Sequence, residues 1–253
     1  MTNRGGRRGC GQAGAAIIAL LAAAIGSAEA QSAPVDGRWR FAISPYLLMP
    51  YMAGTTGVGD LTVDVDAAPG DIFSRLQFGA MLVAEANNGT WGVALDGIYM
   101  DLEQSAVEGR LSATAGMQQT AVELTGLRRV TGWAEVLVGG RLNLLSAGLA
   151  TKGLQARSRE GDEAWVDPYV GARLQVPGTG EWVVSFRGDV GGFGLGSDLA
   201  WQVQPRVGYR FSGLFELGVT YRVISMDYTG GGAPAFRYDM RTYGPEVGFT
   251  FHF

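Results

Sequence analysis

From residue 39 almost to its end, the chain alternates apolar and polar side chains with a period of two, in segments of roughly ten residues. In residues 39–51 one face carries Trp39, Phe41, Ile43, Leu47 and Met49, and the other carries Arg40, Ala42, Ser44 and Tyr46. In residues 91–100, Trp91, Val93, Leu95 and Tyr99 oppose Gly92, Ala94 and Asp96. Residues 182–190, 199–211 and 215–223 repeat the pattern, the last setting Phe215, Leu217, Val219, Tyr221 and Val223 against Glu216, Thr220 and Arg222. Side chains that change face at every residue belong to a strand. Strands of soluble sandwiches average about five or six residues, so these run long. Aromatics gather near the segment ends, as side chains at two membrane interfaces do. After the N-terminal segment no apolar stretch approaches the ~20 residues a spanning helix needs, and in lipid only helices and closed barrels satisfy the backbone. The expected fold is all-β, a closed antiparallel up-and-down transmembrane β-barrel.

The 40 glycines among 253 residues suit strands and tight turns better than helices. Lys152 is the sole lysine, so nearly every cation is arginine. The formal net charge is −4, and this mild acidity gives no reason to expect a nucleic-acid partner. Arg4, Arg7 and Arg8 precede an apolar run from Ala13 to Ile25, followed by Ala28-Glu29-Ala30. A basic head, a short apolar middle and a small-x-small end read as a secretory signal peptide cut after Ala30. The expected organisation is a signal peptide over 1–30, a polar lead over 31–37 and a barrel over 38–253. Cys10 lies in the removed segment, so the mature chain is expected to have no thiol chemistry.

Connections alternate in length. Short turns are expected at 87–89, 129–132, 177–181 and 211–214, and longer links at 53–76, 102–115, 151–163, 191–198 and 229–236. Outer-membrane barrels have short periplasmic turns and longer external loops, which here gives ten strands starting near 39, 77, 91, 116, 133, 164, 182, 198, 214 and 238. Twelve and eight strands are the alternatives. Within 53–76, residues 61–66 alternate well enough to be a strand and 71–76 could form one helical turn. The segment is expected to be a loop with a short hairpin arm, folding toward the lumen.

The chain closes on Val247-Gly248-Phe249-Thr250-Phe251-His252-Phe253. Its terminal aromatic, the alternating Phe249 and Phe251 and the glycine at 248 resemble the C-terminal signal that outer-membrane barrels present to their assembly machinery; Val247 departs from it, where a polar residue is usual. The stretch GDVGGFGLGSDLAWQ (188–202), followed by Gly208-Tyr209-Arg210-Phe211, is similar to small Gram-negative outer-membrane β-barrel proteins of uncharacterised families. That resemblance implies location in the cell outer membrane, insertion by the barrel-assembly machinery, contact with outer-membrane lipids and lipopolysaccharide, and a monomeric state.

Projecting the non-lipid face of each strand places Arg40, Tyr46, Glu85, Asp96, Glu123, Glu135, Arg141, Asp167, Arg173, Arg187, Asp189, Gln202, Gln204, Arg206, Glu216, Arg222 and Glu246 in the lumen. Acids and arginines interleave and must pair in a narrow barrel, because an unpartnered buried charge costs several kcal/mol. Arginine's planar fork can bridge carboxylates on neighbouring strands. Two readings stay open: a packed ion-pair network that holds the wall together, and a narrow water-filled, porin-like pore whose charges select solutes.

Little points to catalysis. The enzymes among outer-membrane barrels rely on histidine, and His252, the one histidine, falls at the periplasmic rim of the last strand. Zinc chemistry lacks its histidines and cysteines. Asp60, Asp64, Asp66 and Asp71 match no calcium-loop spacing. Residues 192–196 are glycine-rich but precede no helix, and are expected to be a flexible hairpin loop. Asn88-Gly89-Thr90 is expected to be a turn. No catalytic residue, cofactor or metal is expected. The role anticipated is structural or interactive, with a narrow channel second and a lipid-modifying enzyme third.

Overall fold

The computed structural model describes residues 37–253 apart from 109–110 and 153–156, so the expected signal peptide and the expected cleavage site at Ala28–Ala30 lie outside the described residues. In chain order the elements are β1 (Arg40–Leu48), β2 (Tyr51–Val58), β3 (Leu61–Ala67), helix α1 (Pro69–Arg75), β4 (Leu76–Asn87), β5 (Trp91–Glu108), β6 (Leu111–Arg129), β7 (Ala134–Lys152), β8 (Arg157–Gln175), β9 (Trp182–Gly192), β10 (Leu199–Arg210), β11 (Phe215–Thr229) and β12 (Phe236–His252). Strands β4 to β12 each pair antiparallel with the next, and β1 pairs with both β4 and β12. Ten strands thus close into a cylinder, with β2 and β3 as two extra strands. Closure leaves no free edge within the lipid zone, which is what a spanning sheet requires.

β2 continues the line of β1 past a bend and beyond the ring, since both pair with β12 at different heights. The break falls at Met49–Pro50, where Pro50 has no N–H to give to the ladder. Gly244 faces the bend; a Cβ there would lie 2.0 Å from the Met49 carbonyl oxygen, so only glycine permits the approach. β3 does not span. It pairs only with β2, along a stretch of sheet that continues β12 outward. The residue 61–66 alternation therefore marks a real strand, but the barrel count stays at ten.

Outward side chains draw the membrane zone. Trp39, Trp91, Trp182, Phe211 and Phe253 stand exposed at the turn end of the strands. At the other end Tyr51 stacks on Tyr243, and Phe78 leans on Tyr99. Between these girdles the exterior is apolar, with Ile43, Leu82, Leu95, Leu124, Val138, Val170 and Val207 all exposed. Along β12, Tyr243 to Phe253 covers roughly 25 Å of height for a tilted strand rising ~3.3 Å per residue. Just beyond Tyr243, outward positions change to Arg241, Asp239 and Arg237. No helix among the described residues is long and apolar enough to cross a membrane. The strands do the crossing.

Two of the long loops expected from the sequence are corrected. Residues 102–115 and 151–163 are largely strand, because β5 to β8 continue well past the membrane at 18, 19, 19 and 19 residues. Outside lipid the apolar face is no longer demanded, so alternation fades while the hydrogen-bonded ladder continues. β9 and β10 stop lower, with Tyr169↔Gly191 the last rung shared by β8 and β9. The outer end is thus two four-stranded blades, β5–β6–β7–β8 and β11–β12–β2–β3, facing each other across the mouth. An apolar core joins them: Leu145 and Trp165 from one blade, Met52, Met226, Tyr228, Tyr238 and Met240 from the other. Trp165 stacks on Tyr228 at 4.2 Å. Helix α1 adds Ile72 to this core. Pro69 starts it and the Asp71 carboxylate accepts the Ala68 N–H at 3.2 Å, a local cap that lets so short a helix hold.

Candidate functional site

Among the described residues, polar side chains converge in the lumen, which is built in two tiers. Of the residues projected inward, Arg40, Tyr46, Glu85, Asp96, Arg173, Arg187, Gln204, Arg206, Glu216, Arg222 and Glu246 line its recess, and Glu123, Glu135, Arg141, Asp167, Asp189 and Gln202 are buried. Arg141 is wholly buried, with its Nε at 2.8 Å from Glu123 and an Nη at 3.1 Å from Asp189. Arg187 reaches the same two carboxylates at 2.8 and 3.1 Å, so two arginines and two acids form a closed square spanning β6, β7 and β9. Both guanidiniums lie over the Tyr169 ring, 5.2 and 5.6 Å from its centre. Tyr169 lies flat against the wall because Gly139 is beside it; a Cβ there would sit 2.5 Å from the phenol. Arg222 bonds Asp96 at 2.6 Å across the lumen and approaches Glu246 at 3.3 Å, while the Tyr46 hydroxyl donates to Asp96 at 2.6 Å.

Nearer the turn end, Arg173 holds Glu85 by two bonds of 2.7 and 2.9 Å and Glu135 by one of 2.7 Å. Arg206 and Arg210 share Glu216 at 2.7 and 3.2 Å. Arg40 lines the recess at this end. The projection left out Arg129, assigned to the 129–132 turn but paired with Glu135 at 3.1 Å, and Arg210, which lies on the polar face of 199–211 beside the 211–214 turn. His252 also belongs here, its Nε2 3.5 Å from Glu216. The parity of β12 carried that signal: His252 shares the inward face with Glu246 and Thr250.

Asp167 departs from the arginine-pairing expectation. No guanidinium meets it. It accepts instead from the Ser197 N–H at 2.6 Å, the Ser197 hydroxyl at 3.0 Å, the Asn143 amide at 3.1 Å and the Trp165 indole at 3.1 Å. Four neutral donors satisfy a buried carboxylate as well as one cation does. The consequence is mechanical: the glycine-rich hairpin 192–198, expected to be flexible, is pinned into the mouth by Ser197, which is fully buried. Gly196 permits this, since a Cβ there would lie 2.3 Å from the Val166 oxygen.

The two tiers differ in what they leave open. Above the Arg141 square, Gln202, Asp167 and Ala200 are fully buried and the blade core covers them. Below it, a recess of about 730 Å³ opens toward the turn end, lined among others by Glu85, Arg173, Arg206, Arg222 and Glu246. The lumen is therefore a cup, closed on the blade side and open on the side of the short turns.

At the exterior, Phe249, Phe251 and Phe253 of the C-terminal motif face lipid, and Gly248 lies against Tyr46 across the β1–β12 seam. The acids of residues 60–71 are dispersed: Asp64 accepts from Thr55, Asp66 from Tyr51, and Asp71 caps α1. Among the described residues, no group of three or more acids, histidines or cysteines is placed to hold a metal ion.

A closed cylinder with an apolar belt, two aromatic girdles and charges inside has one natural solvent. The chain has the architecture of a membrane-spanning β-barrel. No family model matches it, and no curated protein is similar to it in sequence. Solved structures similar to this barrel include the translocator domain of the autotransporter NalP from Neisseria meningitidis, 13% identical over 95% of each chain with a TM-score of 0.41. Ail, the attachment invasion locus protein of Yersinia pestis, is 10% identical over 85% of this barrel and 98% of its own chain, with a TM-score of 0.34. The toluene transporter TodX of P. putida is 9% identical over 87% and 90%, with a TM-score of 0.32. The likeness is one of fold.

Proposed function

We propose that this barrel is a monomeric, non-conducting and non-enzymatic component of the outer membrane, whose role is to anchor and present the two-bladed platform beyond the lipid. The observation that carries the reading is the filled blade-side half of the lumen, where Trp165, Tyr228, Tyr238 and Met240 pack into one core directly above the Arg141 square. An ion crossing here would have to displace a packed aromatic cluster and break a buried ion-pair network. The exterior belt contacts outer-membrane lipids and lipopolysaccharide, and the Phe249–Phe253 strand end is the segment offered to the assembly machinery.

The narrow-channel alternative draws its support from the recess, which already makes half of a pathway. Planar-bilayer recordings separate the two. The refolded protein is expected to be silent, and Trp165→Ala to introduce stepwise openings by removing the largest ring from the blade core. Steady conductance from the unaltered protein would refute the anchoring role.

A further inference from the structure

At its open end the recess presents more donors than acceptors. Six arginines and four carboxylates line it, and Glu123, Glu135 and Asp189 beside it answer Arg187 and Arg173. Glu85 gives both oxygens to Arg173, Asp96 accepts from Tyr46 and Arg222, and Glu246 approaches Arg222 at 3.3 Å with its Oε2 making no hydrogen bond. At the open end Glu216 alone answers Arg206, Arg210 and His252, one oxygen toward the first and the other toward both of the rest. The imidazole Nε2 has no hydrogen-bond acceptor, and neither has the Nε of Arg187 deeper in the recess. Arginine cannot shed its proton, so the excess of two guanidiniums over the single Glu216 carboxylate at this end is fixed.

The wall is also shaped to keep this end clear. Gly208, Gly218 and Gly248 are register partners on β10, β11 and β12, and all three face inward. The Arg206 guanidinium lies over Gly218 and the Glu216 carboxylate over Gly208; added Cβ atoms would meet them at 2.5 and 2.6 Å. Bare backbone across three strands thus lets the ion pair lie flat, and the recess keeps its volume. Glu216 is buried, whereas the Arg210 side chain is 46% exposed and can turn toward solute.

We propose that the periplasmic end of the recess, formed by Arg206, Arg210 and His252 around Glu216, binds a small multivalent oxyanion from the periplasm, carrying carboxylate or phosphate groups. The physical basis is threefold. Guanidinium forks match planar oxyanions with two parallel bonds. A cleft with low-dielectric walls and an excess of one sign of charge focuses its field on the solute. A volume of about 730 Å³ is that of a small-molecule pocket.

The test is calorimetric titration of the full chain, refolded in detergent micelles at low salt, with citrate, pyrophosphate and glucose. One or both anions are expected to bind and glucose not to; citrate alone identifies carboxylate, pyrophosphate alone phosphate, and both together charge and size. Arg210→Gln is expected to weaken binding roughly tenfold. Glu216→Gln shifts it the other way, tightening it by freeing two guanidiniums, and this opposite sign separates a binding role from loss of fold. Heat-dependent gel migration verifies folding of each variant. No heat from either anion at millimolar concentration overturns the proposal, as do affinities left unchanged by both substitutions.

Discussion

The Arg173–Glu85 pair gives the sharpest energetic test of the charge-paired lumen. Its perturbation is a cycle of Arg173→Met, Glu85→Gln and the double variant. Arg173 makes two short bonds to Glu85 and a third to Glu135, and the pair's side chains are 21% and 17% exposed to the recess. Two unit charges about 4 Å apart attract by ~4 kcal/mol at an effective dielectric near 20. Desolvation and side-chain ordering take back about half of that, leaving a coupling of ~2 kcal/mol. Removing Arg173 alone leaves Glu85 with only the Asn87 amide at 3.3 Å and no cation, whereas Glu135 keeps Arg129 at 3.1 Å. That variant should therefore cost ~3 kcal/mol, at the low end of a broken buried pair. Glu85→Gln should cost ~2 kcal/mol, because Arg173 retains Glu135. The double variant should then cost ~3 kcal/mol rather than the sum of the two. The assay is equilibrium urea unfolding in lipid vesicles, followed by tryptophan fluorescence. Single losses that simply add, to within ~0.5 kcal/mol, would mean the pair is screened like one on a surface, and the network account would fail.

Two further outcomes follow from the same geometry. Gly139→Ala should prevent the heat-modifiable folded band from forming, since its methyl would lie 2.4 Å from the Leu124 oxygen and 2.5 Å from Tyr169; Gly97→Ala, with nothing within 4 Å, should leave the band unchanged. On the platform, beyond the membrane, partial desolvation first and then the Asp239 and Asp198 charges push the Asp227 carboxyl up. A raised carboxyl costs stability while ionised, and the cost disappears as pH falls through its folded pKa. Asp227→Asn should therefore raise the melting temperature at neutral pH and lose that advantage near pH ~4; a gain of the same size at both values would refute the assignment.

Much of the fold was legible because lipid enforces it residue by residue. A side chain such as Val207 or Leu124 must be apolar if it faces hydrocarbon, so period two persists through the spanning segments and identifies the inward arginines and acids with them. The blades escaped for the complementary reason: past Tyr243 water replaces lipid on the outer face, and residues 102–108 and 157–163 carry no pattern that separates a ladder from a loop. Arg129 and Arg210 escaped because strand ends and turns share a composition.

What the sequence by itself determined is the side each residue takes, and hence a closed cylinder of ten strands with lipid outside and charge within. Which charges meet was decided only by the tertiary structure. Arg222 finds Asp96 at a separation of 126 residues, and Arg173 finds Glu85 at 88, because strand stagger sets the height at which each side chain enters the lumen. Alternation fixes direction and is silent on height, so neither the closed blade side nor the open periplasmic recess could be read before the strands were in register.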